Sequence, residues 1–220
     1  MSISEDFCQH AETAFIDSWC ESMLDYAHKR INSEKCFQAI LFSSIRNKLS
    51  AEYTIYVEAT IWLPDGRRQY IDLLICRQNL VVAAIELKYK PKAELSKIGM
   101  YSDLEKLLNL RNYKSRSARI AVEVKRFLGK SKTERETFLF APNRRIIFAG
   151  YCRADKIADK TDSFWKAHRS ALSGPASRRN TIPPKLMICL ARTEAGLSVT
   201  PQLLGGKHIQ TKLPPIAIDA

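Results

Sequence analysis

Two carboxylates and a lysine stand close together in this chain. Asp72 lies within Gln69-Tyr-Ile-Asp-Leu-Leu-Ile-Cys76, and Glu86-Leu-Lys88 ends the apolar run that begins at Leu80. Both segments read as strands. Side chains alternate across a strand, so Glu86 and Lys88 emerge on one face. Two hard oxygen ligands suit Mg²⁺, and an ammonium beside them suits a phosphate. Taken alone, Glu-x-Lys is common and reads more readily as solvated charge on a surface strand. Here, however, the glutamate closes a buried run, where a charge is costly unless it has a partner or a metal.

For joint action, Asp72 and Glu86 must share a face. Directly opposed residues of a hairpin do so. A two-residue loop at Gln78-Asn79 would pair Asp72 with Ile85 and turn Glu86 away. A three-residue loop, Arg77-Gln78-Asn79, pairs Asp72 with Ala84 and leaves Glu86 diagonal on the same face. Asn79 suits the left-handed position such a loop requires. That loop, or a bulge of the same parity, is expected.

The surrounding periodicities supply the elements. Ala14, Phe15, Trp19, Met23, Leu24 and Tyr26 mark an amphipathic helix over 9–30. A second helix over 33–49, capped by Asn32 or Ser33, turns Phe37, Ile40, Leu41, Ile45 and Leu49 inward. The period then changes to two from Tyr53 to Leu63, ending at Pro64-Asp-Gly66, a turn signature. The two strands already named follow, with Val81–Ile85 buried on both faces. Pro91 ends the run. A helix over 93–113, a partly helical basic stretch (118–128), a strand over 145–152, a helix over 155–172 and a hairpin around Glu194-Ala-Gly196 complete the order. The C-terminal tail is expected to be loosely ordered. This predicts an α/β (α+β) chain with a mixed central sheet flanked by helices. Its parts are an N-terminal helical extension (1–32), a core (33–172) and a C-terminal loop, hairpin and tail (173–220).

An αβββαβ order with Asp on the second strand and Glu-x-Lys on the third resembles the PD-(D/E)xK nuclease superfamily, the restriction-endonuclease-like fold. The resemblance covers roughly residues 33–153. Ile71 stands where the family's name-giving proline would be. The resemblance implies a Mg²⁺-dependent nuclease, with Mn²⁺ able to substitute. Asp72, Glu86 and the Leu87 carbonyl would hold the metal, while Lys88 orients the attacking water and stabilises charge on phosphorus. It further implies a third acid from the first core helix, for which Glu34 is the candidate; the alternative is a first-turn glutamate favoured by the helix dipole. Glu58, and more weakly Gln38, could also join, and Tyr101 could support the site or merely pack. Such chemistry needs charge neutralisation at phosphorus and an activated water. Burial near cations makes a lowered pKa conceivable for Lys88.

Net charge is +12, unevenly placed: residues 1–66 carry −5 and residues 67–220 carry +17. A polyanion docking on the basic part is one reading. Lys90, Arg111, Lys114, Arg116, Arg119, Lys125 and Arg126 are the candidates for backbone contact; a solvated basic face is the other. The six cysteines have no CxxC pair and read as reduced thiols. No apolar run approaches a membrane span, and no signal pattern begins the chain, so a cytoplasmic protein is expected. The function expected is a metal-dependent hydrolase cleaving nucleic acid, foremost a DNA endonuclease, possible as a homodimer or with a protein partner. The alternatives are a non-catalytic binding module on the same fold, or a subunit of a larger defence or mobile-element complex.

Overall fold

The computed structural model describes residues 3–90, 97–113, 118–128, 130–153, 185–194, 198–205, 209–212 and 216–217. The helix expected over 155–172 and the loop after it lie outside these residues. Helices α1 (Ile3–Ala27) and α2 (Glu34–Lys48) precede strands β1 (Tyr53–Trp62), β2 (Arg68–Arg77) and β3 (Leu80–Lys90). Helix α3 (Lys97–Asn112) leads to β4 (Arg119–Leu128) and the long β5 (Lys130–Arg153). Strands β6 (Lys185–Glu194), β7 (Ser198–Gly205), β8 (Ile209–Lys212) and β9 (Ile216–Ala217) follow. The result is a mixed α/β fold whose sheet is flanked by helices. No helix among the described residues is long and apolar enough to cross a membrane.

Strand β3 is the centre. It pairs antiparallel with β2 and parallel with β5, and β5 pairs parallel with β6. Helices α1 and α2 cover one face, where Phe15, Trp19, Phe37, Leu41 and Ile45 pack on Leu73, Ile75, Ile85 and Ile147. Helix α3 covers the other, where Leu104, Leu107 and Leu110 meet Leu74, Val81, Ala84, Ile146 and Phe148. Ser33 starts α2 by accepting a hydrogen bond from the Cys36 N–H at 3.1 Å, filling one of the helix's orphan donors.

Several expectations change. Helix α1 runs from Ile3 to Ala27 rather than over 9–30, and the strand expected over 145–152 is the end of the longer β5. The stretch 118–128 is a strand, not a partial helix. Ile120, Val122 and Val124 alternate with charged or small residues, and β-branched side chains favour a pleated surface; Ile120 and Val122 are buried. The tail is also more regular than expected, with β8 and β9 both pairing with β7.

The β2–β3 turn differs in detail. Arg77 pairs with Leu80, so the loop is the two-residue Gln78-Asn79. The left-handed residue is Gln78, at φ 55°, not Asn79. A bulge then restores the parity: Cys76 pairs with Val81, but Ile75 pairs with Ala83. Val82 and Ala83 consequently both face α1 and α2. Ala84 pairs with Leu74 rather than Asp72.

A second irregularity shapes the site. Val57 pairs with Leu73 and Ala59 with Ile71, but Glu58, at φ 48°, breaks the ladder between them. Leu73 packs in the α1/α2 core, whereas Ile71, Ala59 and Ile61 pack in the α3 core. Both strands thus change faces together at Glu58 and Asp72. Bulges bend strands in this way and re-aim side chains. The far part of the β1–β2 hairpin curls over the α3 side, and Ile61 and Trp62 pair with β4. Since β4 pairs with β5, the pairing path returns on itself.

Candidate functional site

Asp72 occupies the bend of β2, beyond the last paired residues of the β2–β3 ladder. The freed backbone groups find side-chain partners. Gln38 of α2 donates its Nε2–H to the Asp72 carbonyl at 2.9 Å, and Asp72 Oδ2 accepts the Leu87 N–H at 2.7 Å. A residue's N–H and C=O point to the same edge of an extended strand, which turns the Leu87 carbonyl toward Asp72 as well. The bend aims the Asp72 carboxylate across the sheet at β3.

Glu86 and Lys88 both face α3. Glu86 is 2% exposed. Its Oε2 receives Lys106 Nζ at 3.0 Å, and its Oε1 is buried without a hydrogen-bond partner. Lys88 Nζ pairs with Asp103 at 2.9 Å, and Asp103 also holds Lys106 at 3.1 Å. The order of charges along this face is Glu86, Lys106, Asp103, Lys88. Glu34, in the first turn of α2, accepts the Tyr89 N–H at 3.0 Å, at the exposed mouth of the site.

The electrostatics follow from burial and crowding. Burial, then the neighbouring Asp72 charge, pushes Glu86 up to about 8, against the pull of Lys106. Burial also raises Asp72, with Glu34 and Asp103 adding to it, while the Leu87 N–H and Lys106 oppose. For Lys88, burial acts downward, but the hydrogen bond and charge of Asp103, with Glu34 and Asp72, carry it above the ordinary lysine range. The lowered lysine pKa expected from burial is therefore not found, because the nearby acids outweigh desolvation.

Other expected residues divide. Lys90 sits two positions beyond Lys88, half-buried at the end of β3. Glu58 is exposed and 3.9 Å from Lys35, beside the bend. Tyr101 lies on α3, but its side chain is outside the described residues, as are those of Lys125 and Arg126 on β4. Lys114 and Arg116 fall outside the description altogether. Arg111 is at the far end of α3, where its carbonyl accepts from Arg144. Arg119 pairs with Leu139, itself paired with Leu80, eight residues or about 26 Å along β3 from Lys88. The fold does not bring Arg111 and Arg119 to the carboxylates.

Sequence reasoning missed Asp103 and Lys106. The available signal was helical spacing: Asp103 is one turn before Leu107, and Lys106 one turn before Leu110. Two charges inside an apolar stripe require partners, which Glu86 and Lys88 supply.

Among the described residues, no group of three His, Cys, Asp or Glu side chains is close enough to enclose a metal ion. The donors that converge are two carboxylates and a backbone carbonyl. They fit Mg²⁺, which keeps several waters and uses one or two carboxylates together with substrate phosphate. The unpartnered Glu86 Oε1, held beside a second carboxylate, is the observation that favours a cation there. No family model matches this chain, and neither does any curated protein or solved structure.

Proposed function

We propose that the protein hydrolyses phosphodiester bonds of nucleic acid, foremost DNA, with a divalent cation held by Asp72, Glu86 and the Leu87 carbonyl. The observation carrying this reading is the convergence of Asp72, buried Glu86 and Lys88 where β2 and β3 part. The order α2-β1-β2-β3-α3-β5, with β3 parallel to β5, supports a restriction-endonuclease-like core, here with β4 inserted. When bound, the cation supplies Lewis-acid stabilisation of the phosphoryl oxygens.

The chain's own groups do the rest. Gln38 and the Leu87 N–H fix Asp72 from two sides. Lys88 remains an ammonium at neutral pH, since the surrounding acids hold its proton. It therefore acts as a hydrogen-bond donor and fixed charge for a phosphate oxygen or the attacking water, not as the base. Asp103 keeps it directed into the site rather than out to solvent.

The test is incubation with linear, supercoiled and branched DNA, and with RNA, in Mg²⁺, Mn²⁺ or EDTA, beside Lys88→Ala. Cleavage that needs the cation and drops by about 10²–10³ in the variant supports the reading, and the substrate cut best names the nucleic acid. Binding without cleavage in every condition selects the second reading, a non-catalytic module on the same fold. The Lys106–Glu86 contact favours that alternative, because a lysine already answers the buried acid.

Gly150 offers a finer check. It pairs with Lys88 on β5. A Cβ there would lie 3.2 Å from the Lys88 carbonyl oxygen and 3.4 Å from its Cβ. Gly150→Ala is expected to displace Lys88 by a few tenths of an ångström and to slow cleavage on the order of tenfold, with circular dichroism unchanged. Full activity in this variant would show that the Lys88 position is not critical.

A further inference from the structure

We propose that Lys106 fills the place of a second cation, so that the site takes one divalent metal ion per chain rather than two. This rests on the metal-dependent reading above. Paired metal sites set two ions about 3.5–4 Å apart and share carboxylates between them. Here the carboxylate oxygens are already divided. Glu86 gives Oε2 to Lys106 and keeps only the buried Oε1 free. Asp72 gives Oδ2 to the Leu87 N–H and keeps Oδ1. One free oxygen on each acid, with the Leu87 carbonyl, provides for one ion.

Lys106 is itself fixed: Asp103 holds it at 3.1 Å, and its place on α3 is set by Leu104, Leu107 and Leu110 packing into the sheet. Lys106 is thus a positioning residue. It orients Glu86 and closes the second coordination position without touching substrate.

The test counts bound Mn²⁺ by the electron paramagnetic resonance of free Mn²⁺ during titration, without substrate. Wild type, Lys106→Arg and Lys106→Gln are compared, with circular dichroism on each. Expected are one Mn²⁺ per chain in wild type and Lys106→Arg, and two in Lys106→Gln, where a neutral amide leaves the second position open. Two ions in wild type overturn the inference and leave the metal-dependent reading standing. One ion in a folded Lys106→Gln, at unchanged affinity, also overturns it. No bound Mn²⁺ in any form removes the metal-dependent reading and the inference with it. If Lys106→Gln does not fold, the count in wild type and Lys106→Arg still decides.

Discussion

Glu86→Gln is expected to reduce cleavage by at least about 10³-fold while making the cation-free protein more stable at alkaline pH. The activity loss follows from replacing an anionic oxygen donor by a neutral amide. The stability gain follows from burial. Glu86 is raised to about 8 from an ordinary value of 4.5, so its charged form is penalised in the fold. Below about 4.5 the group is protonated in both folded and unfolded chains and contributes nothing. Between about 4.5 and 8 the unfolded chain releases this proton and the folded chain keeps it. Unfolding is thereby favoured, and stability falls as pH rises through that window. At about 1.4 kcal/mol for each tenfold change in proton affinity, the penalty is on the order of a few kcal/mol above pH 8, and Gln at this position removes it. Melting temperatures of both proteins in EDTA at pH 5 and pH 8.5 check this. The gap should open in favour of Glu86→Gln at the higher pH. A variant that loses more stability at pH 8.5 than at pH 5 would mean that the Glu86 charge is favourable in the fold. Retained cleavage would falsify the assignment of Glu86 to the site.

The second large effect concerns stability alone. Arg145→Met is expected to cost about 3–5 kcal/mol, read from urea unfolding. Arg145 is 1% exposed and meets Glu5, Gln9 and Glu12 of α1, with Glu12 on its Nε and Glu5 at 3.0 Å. Removing the guanidinium leaves two largely enclosed carboxylates without their cation. The cost therefore reflects the abandoned acids more than the net worth of the pairs. A triple change, Arg145→Met with Glu5→Leu and Glu12→Leu, should recover most of the loss. A single-variant cost under about 1 kcal/mol would show that water reaches these acids and screens them.

The sequence was legible where one physical signal dominated. Helical spacing located α1, α2 and α3, and period-two alternation located β1 to β3. The approach of Asp72 to Glu86 also followed from parity, but by another route. The turn has two residues, and the bulge at Val82 supplies the missing step. The face change at Glu58 and Asp72 was invisible, because Tyr53, Ile55, Val57, Ala59, Ile61 and Leu63 keep an unbroken alternation across it. Only a left-handed glutamate marks the switch, and a non-glycine residue there is an uncommon conformation that no propensity announces. The misreading of β4 has a similar root. Its charges mask its β-branched alternation, and its burial depends on pairing with β5, which comes later in the chain. Asp103 and Lys106 were missed because a lysine on a helix is ordinarily solvated. Their meaning appears only once Glu86 is known to lie beneath them.

The anchoring of α1 has a consequence for how the chain is made. Glu5 and its partner Arg145 are separated by 140 residues, and Ser22 meets Tyr151 across 129. At about 5–20 residues per second, the first helix leaves the ribosome roughly 7–28 s before its arginine does. Phe15, Trp19 and Met23, all fully buried in the finished protein, must wait through that interval without their final cover. The apolar side of α1 is therefore uncovered for longer during synthesis than that of any helix whose partners lie close to it in sequence.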